Sequence, residues 1–193
     1  MTTDERSLVW AELERATRDR DHPFRQPVIL SIDDSGFPSG RVLTLRAADP
    51  ASRSLRFHID TRSPKYSHWS QRPLISAVFY DQQARWQLRV RGAATLHNQN
   101  EIARAAWLAS HPMCQRTYLS QSPPGLEIDW DSSVFPPGLE RRRPTGQEAE
   151  AAYPNFAVLL LTVAEFDSLH LSGEGHRRFL IAENPHSVRR LAP

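Results

Sequence analysis

Apolar residues recur at every second position through several short segments of this chain, and that period commits much of it to half-buried β-strands. In Arg53–Ile59 the side chains of Leu55, Phe57 and Ile59 share one face. In Arg85–Leu96, Trp86, Leu88 and Val90 face one way, while Gln87, Arg89 and Arg91 face the other. Pro27–Ile32 and Arg41–Ala47 read as two further strands, separated by the turn-forming Asp34-Ser35-Gly36. Leu74–Tyr80 is a continuous apolar run and reads as a buried strand. Ala157–Phe166 reads the same way, and Ser168–Leu171 with Arg177–Ala182 reads as a closing hairpin. The expected fold is mainly β with helices: six or seven short antiparallel strands closing into a barrel, which removes exposed edges. Gly92 marks a bulge or a close backbone approach.

Helices flank this frame. Residues 1–22 form an N-terminal helical segment, with Leu8, Val9, Leu13 and Ala16 along one side and His22-Pro23 as the stop. Ser63–Gln71 reads as a short helix with Ser63 as N-cap and Pro64 at its first position. Asn98–Ala109 is a third, with Ile102, Ala105, Ala106 and Ala109 on one side. Residues 120–154 are a Pro-rich loop region, and a loop that long inside one domain is often functional. The 193 residues read as a single domain.

The net charge is +2, from 24 basic and 22 acidic residues that are interspersed, with no long basic stripe. The Arg141–Arg143 run reads as a solvated loop, so no nucleic-acid partner is expected. One cysteine excludes an intrachain disulfide, and no stretch has the roughly 18 apolar residues of a membrane span. The acid-bearing start lacks an apolar signal core, and a cytoplasmic location is expected. The eight histidines show no metal-ligand spacing, so no metal is expected.

Arg41 opens a strand, and Ser63-Pro64-Lys65 opens a helix about twenty residues later. A guanidinium, an ammonium, a hydroxyl and free helix amides in one place would make a phosphate site. Spacing alone leaves open that Arg41 pairs with a nearby acid. Gln87 lies on the polar face of its strand and offers both a donor and an acceptor, or else simply faces solvent.

Several of these segments, in this order and spacing, resemble the pyridoxamine 5′-phosphate oxidase family. They are Arg41–Arg46 (RVLTLR), Phe57–Asp60 with Ser63-Pro64-Lys65, Gln87–Gly92, Gln121-Ser122, His176–Phe179 and the terminal Arg190-Leu191-Ala192-Pro193. The resemblance runs from about Gln26 to Pro193. It implies an FMN-binding split barrel of Greek-key type with peripheral helices, a homodimer with FMN at its interface, and oxidation of a small molecule. Carried over by position, Arg41, Ser63 and Lys65 hold the FMN phosphate. Backbone groups of Val42, Leu43, Thr44, His58 and Ile59 line the flavin, and Gln87 touches the ring. Gln121, Ser122 and Arg178 come from the opposite subunit or close the cleft, and His170 stands where the family has a tryptophan against the flavin. His176 and Arg178 shape the catalytic pocket, with Arg46, Trp107 and His111 on the substrate side.

The chain departs from the family pattern mainly on that substrate side. Trp107 and His111 fall near a tyrosine and an arginine that grip the substrate phosphate, and Ser172–His176 is shortened. A divergent, oxidase-related branch is the expectation. The alternative is a flavin carrier or flavin-reductase-type module that does not turn over pyridoxamine phosphate.

Overall fold

The computed structural model describes residues 4–193. The first three residues of the expected N-terminal segment lie outside the described residues.

In chain order the elements are α1 (Glu5–Arg18), β1 (Val28–Ile32), β2 (Pro38–Val42), β3 (Ala47–Asp49), β4 (Ser54–Asp60), α2 (Pro64–Gln71), β5 (Leu74–Asp81) and β6 (Trp86–His97). Then follow α3 (Glu101–Leu108), α4 (Pro112–Gln115), α5 (Gly146–Ala152), β7 (Phe156–His170), β8 (Arg177–Glu183) and β9 (His186–Leu191). The strands form one sheet in the order β2-β1-β5-β6-β7-β4-β3, with β8 added to β7 and β9 to β8. Every pairing is antiparallel.

The nine strands exceed the six or seven expected, for identifiable reasons. The expected strand Arg41–Ala47 is divided into β2 and β3, and Leu43–Arg46 crosses between the two ends of the sheet. Along it Leu43 N–H donates to Pro27 O and Leu45 N–H to Arg25 O, on the β1 side. Arg46 N–H then donates to Arg56 O on β4. β2 and β3 do not pair with each other, so the sheet is split there and not closed. β9 (HSVRRL) has few apolar residues to mark it. β7 runs unbroken to His170, so the segment beginning at Ser168 is its end and not a separate strand.

β7 explains Gly92. Its first half pairs with β4 as far as Thr162, and its second half pairs with β8 from Glu165 onward. On its other side the register with β6 shifts between Arg91 and Gly92, a bulge at the changeover. A Cβ on Gly92 would lie 2.0 Å from Thr162 O.

Leu55, Phe57, Ile59, Leu88 and Val90 are buried as their alternation predicts. Together with Trp69 and Phe79 they fill the barrel, which α1 covers with Val9, Trp10, Leu13 and Ala16. Glu183 anchors α1: Arg6 grips its carboxylate at 2.7–3.1 Å, and Trp10 Nε1–H donates to it at 3.1 Å. Leu74–Tyr80 is not buried on both faces, because Leu74 and Tyr80 are exposed while Ile75, Ala77 and Phe79 are buried. α3 buries Ala103, Ala106 and Trp107, and not the expected Ile102 face, against a second core cluster with Phe156 and Val158. Part of the 120–154 region is helical: Thr145 and Glu148 close a capping box at the start of α5.

Candidate functional site

At one mouth of the barrel two cavities, of about 330 and 380 Å³, share Leu43, His58, Thr117 and Tyr118 as walls and form one groove. Its floor is the crossing segment Val42–Thr44 with Arg46, together with His58–Asp60 from β4. The far wall comes from Ser110–Tyr118, and the lip from Ser120, Pro124, Val134 and Phe135.

Lys65 lines the groove at one end, and its Nζ donates to Ser63 Oγ at 2.8 Å. Ser63 directs its hydroxyl to Lys65 and not to the first turn of α2. Arg41 lies over the Trp69 ring at 5.3 Å, is held by the hydroxyls of Ser31 and Ser39, and makes no ion pair with a described acid. Burial, and then the nearby Arg41 charge, pull the Lys65 pKa below its ordinary value, while Asp60 opposes the shift. Asp60 is itself occupied by Arg62, at 2.7 Å and 3.0 Å, and Arg62 also donates to Ser120 O at 2.7 Å. Two cations lie together with no carboxylate paired to either of them. Arg41, Ser63 and Lys65 thus come together as their spacing suggested.

A second unopposed set lies deeper. No hydrogen bond or ion pair to a described residue satisfies the guanidinium of Arg46 or Arg56, and the buried Nε atoms of both, with His58 Nε2, have no partner. Burial, with the Arg46 and Arg56 charges adding to it, pushes the His58 pKa down to about 3. His58 is therefore a neutral imidazole packed edge-on against Phe156, 4.8 Å between centroids. Burial also raises the pKa of the Tyr118 hydroxyl.

The other expected site residues lie elsewhere in the chain. Arg41 belongs to the register row Arg41–Ile29–Ala77–Val90–Phe166, the core side of the sheet. Gln87 belongs to the row Tyr80–Gln87–Leu169–Arg178 on the opposite face. There Arg178 is fixed by Asp167, at 3.0 Å and 2.8 Å, and Arg89 holds the same carboxylate. The Arg178 hydrogen bond lowers the Asp167 pKa in spite of burial.

His170 stacks on Trp86 at 4.7 Å, and its Nε2 lies 2.7 Å from Glu5. Burial raises the Glu5 pKa, but the hydrogen bonds from His170 and Ser168 outweigh it and hold the group below its usual value. His176 is exposed in the β7–β8 turn, where its Nδ1 accepts from Ser172 N–H at 3.1 Å. Gln121 N–H donates to Val134 O, and Ser122 O accepts from Ser120 Oγ, so both stand beside the lip.

On the expected substrate side only Arg46 lines the groove. Trp107 is 1% exposed, enclosed by Tyr118, Tyr153 and Phe156. His111 caps α4 through Nδ1, which accepts from Met113 N–H. Sequence reasoning missed Arg56, Ser110, Thr117 and Tyr118. Arg56 sits in an ordinary alternating strand, and the other three sit in short turns with no local pattern to announce them.

No curated protein matches the sequence. Residues 6–98 match the profile of the family described as pyridoxamine 5′-phosphate oxidase, FMN-binding domain. Among solved structures, a pyridoxamine 5′-phosphate oxidase-related, FMN binding protein from Nostoc punctiforme is 24% identical with a TM-score of 0.77, and the match covers 100% of both chains. PhzG from Burkholderia lata, solved with tetrahydrophenazine-1-carboxylic acid, is 18% identical with a TM-score of 0.74, over 98% of this chain and 93% of its own. A Clostridium acetobutylicum protein of the pyridoxinephosphate oxidase family, related to general stress protein 26, is 10% identical with a TM-score of 0.58, over 95% and 99%. These likenesses establish a shared fold across the described chain. Residues 6–98, the part that matches the profile of the pyridoxamine 5′-phosphate oxidase FMN-binding domain, supply the groove floor and the Arg41–Ser63–Lys65 cluster.

Proposed function

We propose that this protein is an FMN-dependent oxidoreductase that works as a two-fold dimer on a small anionic substrate. The observation that carries the reading is the cluster of Arg41, Ser63 and Lys65, in which neither cation is ion-paired and the nearby Asp60 is held by Arg62, at the end of a groove within the segment that matches an FMN-binding domain. These three groups fit a phosphate monoester, and the crossing segment Val42–Thr44 with His58–Ile59 offers a floor for the ring. When bound, FMN supplies hydride acceptance from a substrate carbon and electron transfer to an acceptor. The chain's own residues orient the partners. Neutral His58 adds no charge of its own to the groove wall, and Arg46, which lines the groove, supplies unspent positive charge with Arg56 behind it.

The dimer reading rests on register. Gln87 and Arg178 share one row on the outer face, while Arg41 is on the core side. One copy therefore offers two half-sites that do not face each other, and a second copy can bring the Gln87–Arg178 face to the first copy's groove. Gln121, Ser122 and His170 belong to the rim of that composite cleft. Arg178, steadied by Asp167, and His176 at the β8 turn shape the pocket. No helix of the described residues is long and apolar enough to cross a membrane.

One observation favours the carrier or reductase alternative. Trp107 and His111 do not line the groove, because the first is enclosed in the core and the second stands outside it as the cap of α4. Two measurements test the reading. Purified protein should take up FMN stoichiometrically, and the bound flavin should bleach anaerobically with a member of a small panel of anionic amines and alcohols. Bleaching by NAD(P)H alone would favour the reductase; no uptake at micromolar FMN would sink both.

A further inference from the structure

Apart from the groove, a cavity of about 750 Å³ forms an apolar trough on the outer sheet face. Ile32, Pro38, Leu74 and Ile75 line it, and Arg53 and Arg91 stand at its rim. Leu74 is 78% exposed and Ile32 46%, too much apolar surface to leave facing water without a partner. Arg91 is only loosely paired, with Glu165 3.8 Å away, and its side chain is 72% exposed.

The Pro-rich loop carries the complementary pattern. Leu126-Glu127-Ile128-Asp129-Trp130-Asp131 alternates strictly between apolar and acidic residues. The segment turns at Asp129–Ser132 in the single chain; drawn out as a strand, it would place three apolar side chains on one face and three carboxylates on the other, over roughly 17 Å. Leu126, Ile128 and Trp130 are all exposed, Trp130 completely. None of the three carboxylates makes an ion pair or a side-chain hydrogen bond with a described residue. The loop is pinned at its base by Gln121 N–H to Val134 O, beside the flavin groove. The trough, by contrast, continues the same outer face that carries Gln87. Leu74, Ser76, Val78 and Tyr80 alternate along β5 opposite Ala93, Arg91, Arg89 and Gln87 of β6.

We propose that the segment Leu126–Asp131 of each protomer lies in the apolar trough of a second copy. Trp130 and its apolar neighbours fill the trough, and the acidic residues meet Arg53 and Arg91. The exchange is reciprocal, so two arms and two troughs are satisfied by one two-fold axis. This inference rests on the dimer proposed above and adds the contact that locks it.

Two single variants, Trp130→Ala and Leu74→Asp, test it. Both positions are surface-exposed, so the circular dichroism of each variant should match the parent and certify the fold, and FMN uptake should match the parent at protein concentrations high enough to keep the variant dimeric. Dimer dissociation constants are read by dilution with light scattering. Each variant alone should weaken the dimer at least tenfold, as loss of an interface anchor does. Mixing the two variants should recover dimer, because one arm–trough pair per heterodimer is then intact. A parent protein that is monomeric with FMN bound would defeat the dimer reading itself. A parent dimer that Trp130→Ala leaves unchanged, or variants that fail to complement on mixing, would defeat the arm exchange and leave the dimer standing. A monomeric parent whose Trp130 fluorescence responds to Leu74→Asp would show that the arm folds onto its own trough, which also overturns the exchange.

Discussion

The Lys65 ammonium donates to the Ser63 hydroxyl at 2.8 Å, and this bond fixes a cation at the end of the groove beside Arg41. A flexible lysine is thereby held in place before any ligand arrives, and preorganisation of this kind favours binding over reorganisation. Removing the lysine should therefore show itself in ligand affinity more than in fold stability. A charged hydrogen bond contributes about 1.5–3 kcal/mol, so Lys65→Ala should weaken FMN roughly 10- to 100-fold. Arg41→Ala should do the same, with an added stability loss of about 1 kcal/mol because Arg41 also covers Trp69. Flavin fluorescence titration alongside thermal unfolding measures both effects. Unchanged affinity in both variants would place the phosphate elsewhere.

His58 predicts an acid sensitivity. Its pKa is near 3 in the folded chain and about 6.5 when unfolded, so the unfolded state binds the proton first. Its contribution to stability is complete above about pH 6.5 and is lost as pH falls toward 3. Across that window the loss should be on the order of 2–4 kcal/mol, somewhat less than the full shift implies. His58→Gln should flatten the slope of unfolding free energy between pH 7 and pH 4, measured on protein without flavin. An unchanged slope in the variant would show that the imidazole is not the titrating group.

Gly92→Ala should be severely destabilising, because the new Cβ would meet Thr162 O at 2.0 Å where β7 changes partners. Backbone cannot retreat as a side-chain tip can, so a cost of about 2–4 kcal/mol is expected. Urea unfolding of the variant beside the parent gives the number. A loss below 0.5 kcal/mol, the ordinary surface value, would mean that the bulge opens freely.

Pyridoxamine phosphate should be a poor substrate. Of the expected substrate-side residues only Arg46 reaches the groove, since Trp107 is enclosed and the Nδ1 of His111 is used in its cap. Loss of two charged contacts, about 1.5–3 kcal/mol each, predicts an efficiency roughly 10²- to 10⁴-fold below a dedicated oxidase. Oxygen uptake under steady state decides the matter. A kcat/KM above about 10⁴ M⁻¹s⁻¹ would show that Arg46 and Arg56 suffice to grip the phosphate.

What the sequence determined by itself was local. The two-residue period of β4 and β6 placed Leu55, Phe57, Ile59, Leu88 and Val90 inside, because a strand has only two faces and one of them must leave water. Gly92 announced a close approach, and the Ser63-Pro64-Lys65 turn announced a cation at a helix start. The tertiary structure decided everything that depends on which strands become neighbours. The split of Arg41–Ala47 into β2 and β3 follows from a crossing that hydrogen-bonds to both ends of the sheet, and no local propensity encodes it. The same holds for the unopposed Arg46, Arg56 and His58. Each is an ordinary residue in its own segment, and only packing that removes water and brings no acid turns the three into a site. Register, carried through the long-range pairing of β1 with β5, put Gln87 and Arg41 on opposite faces although their motifs read as one set.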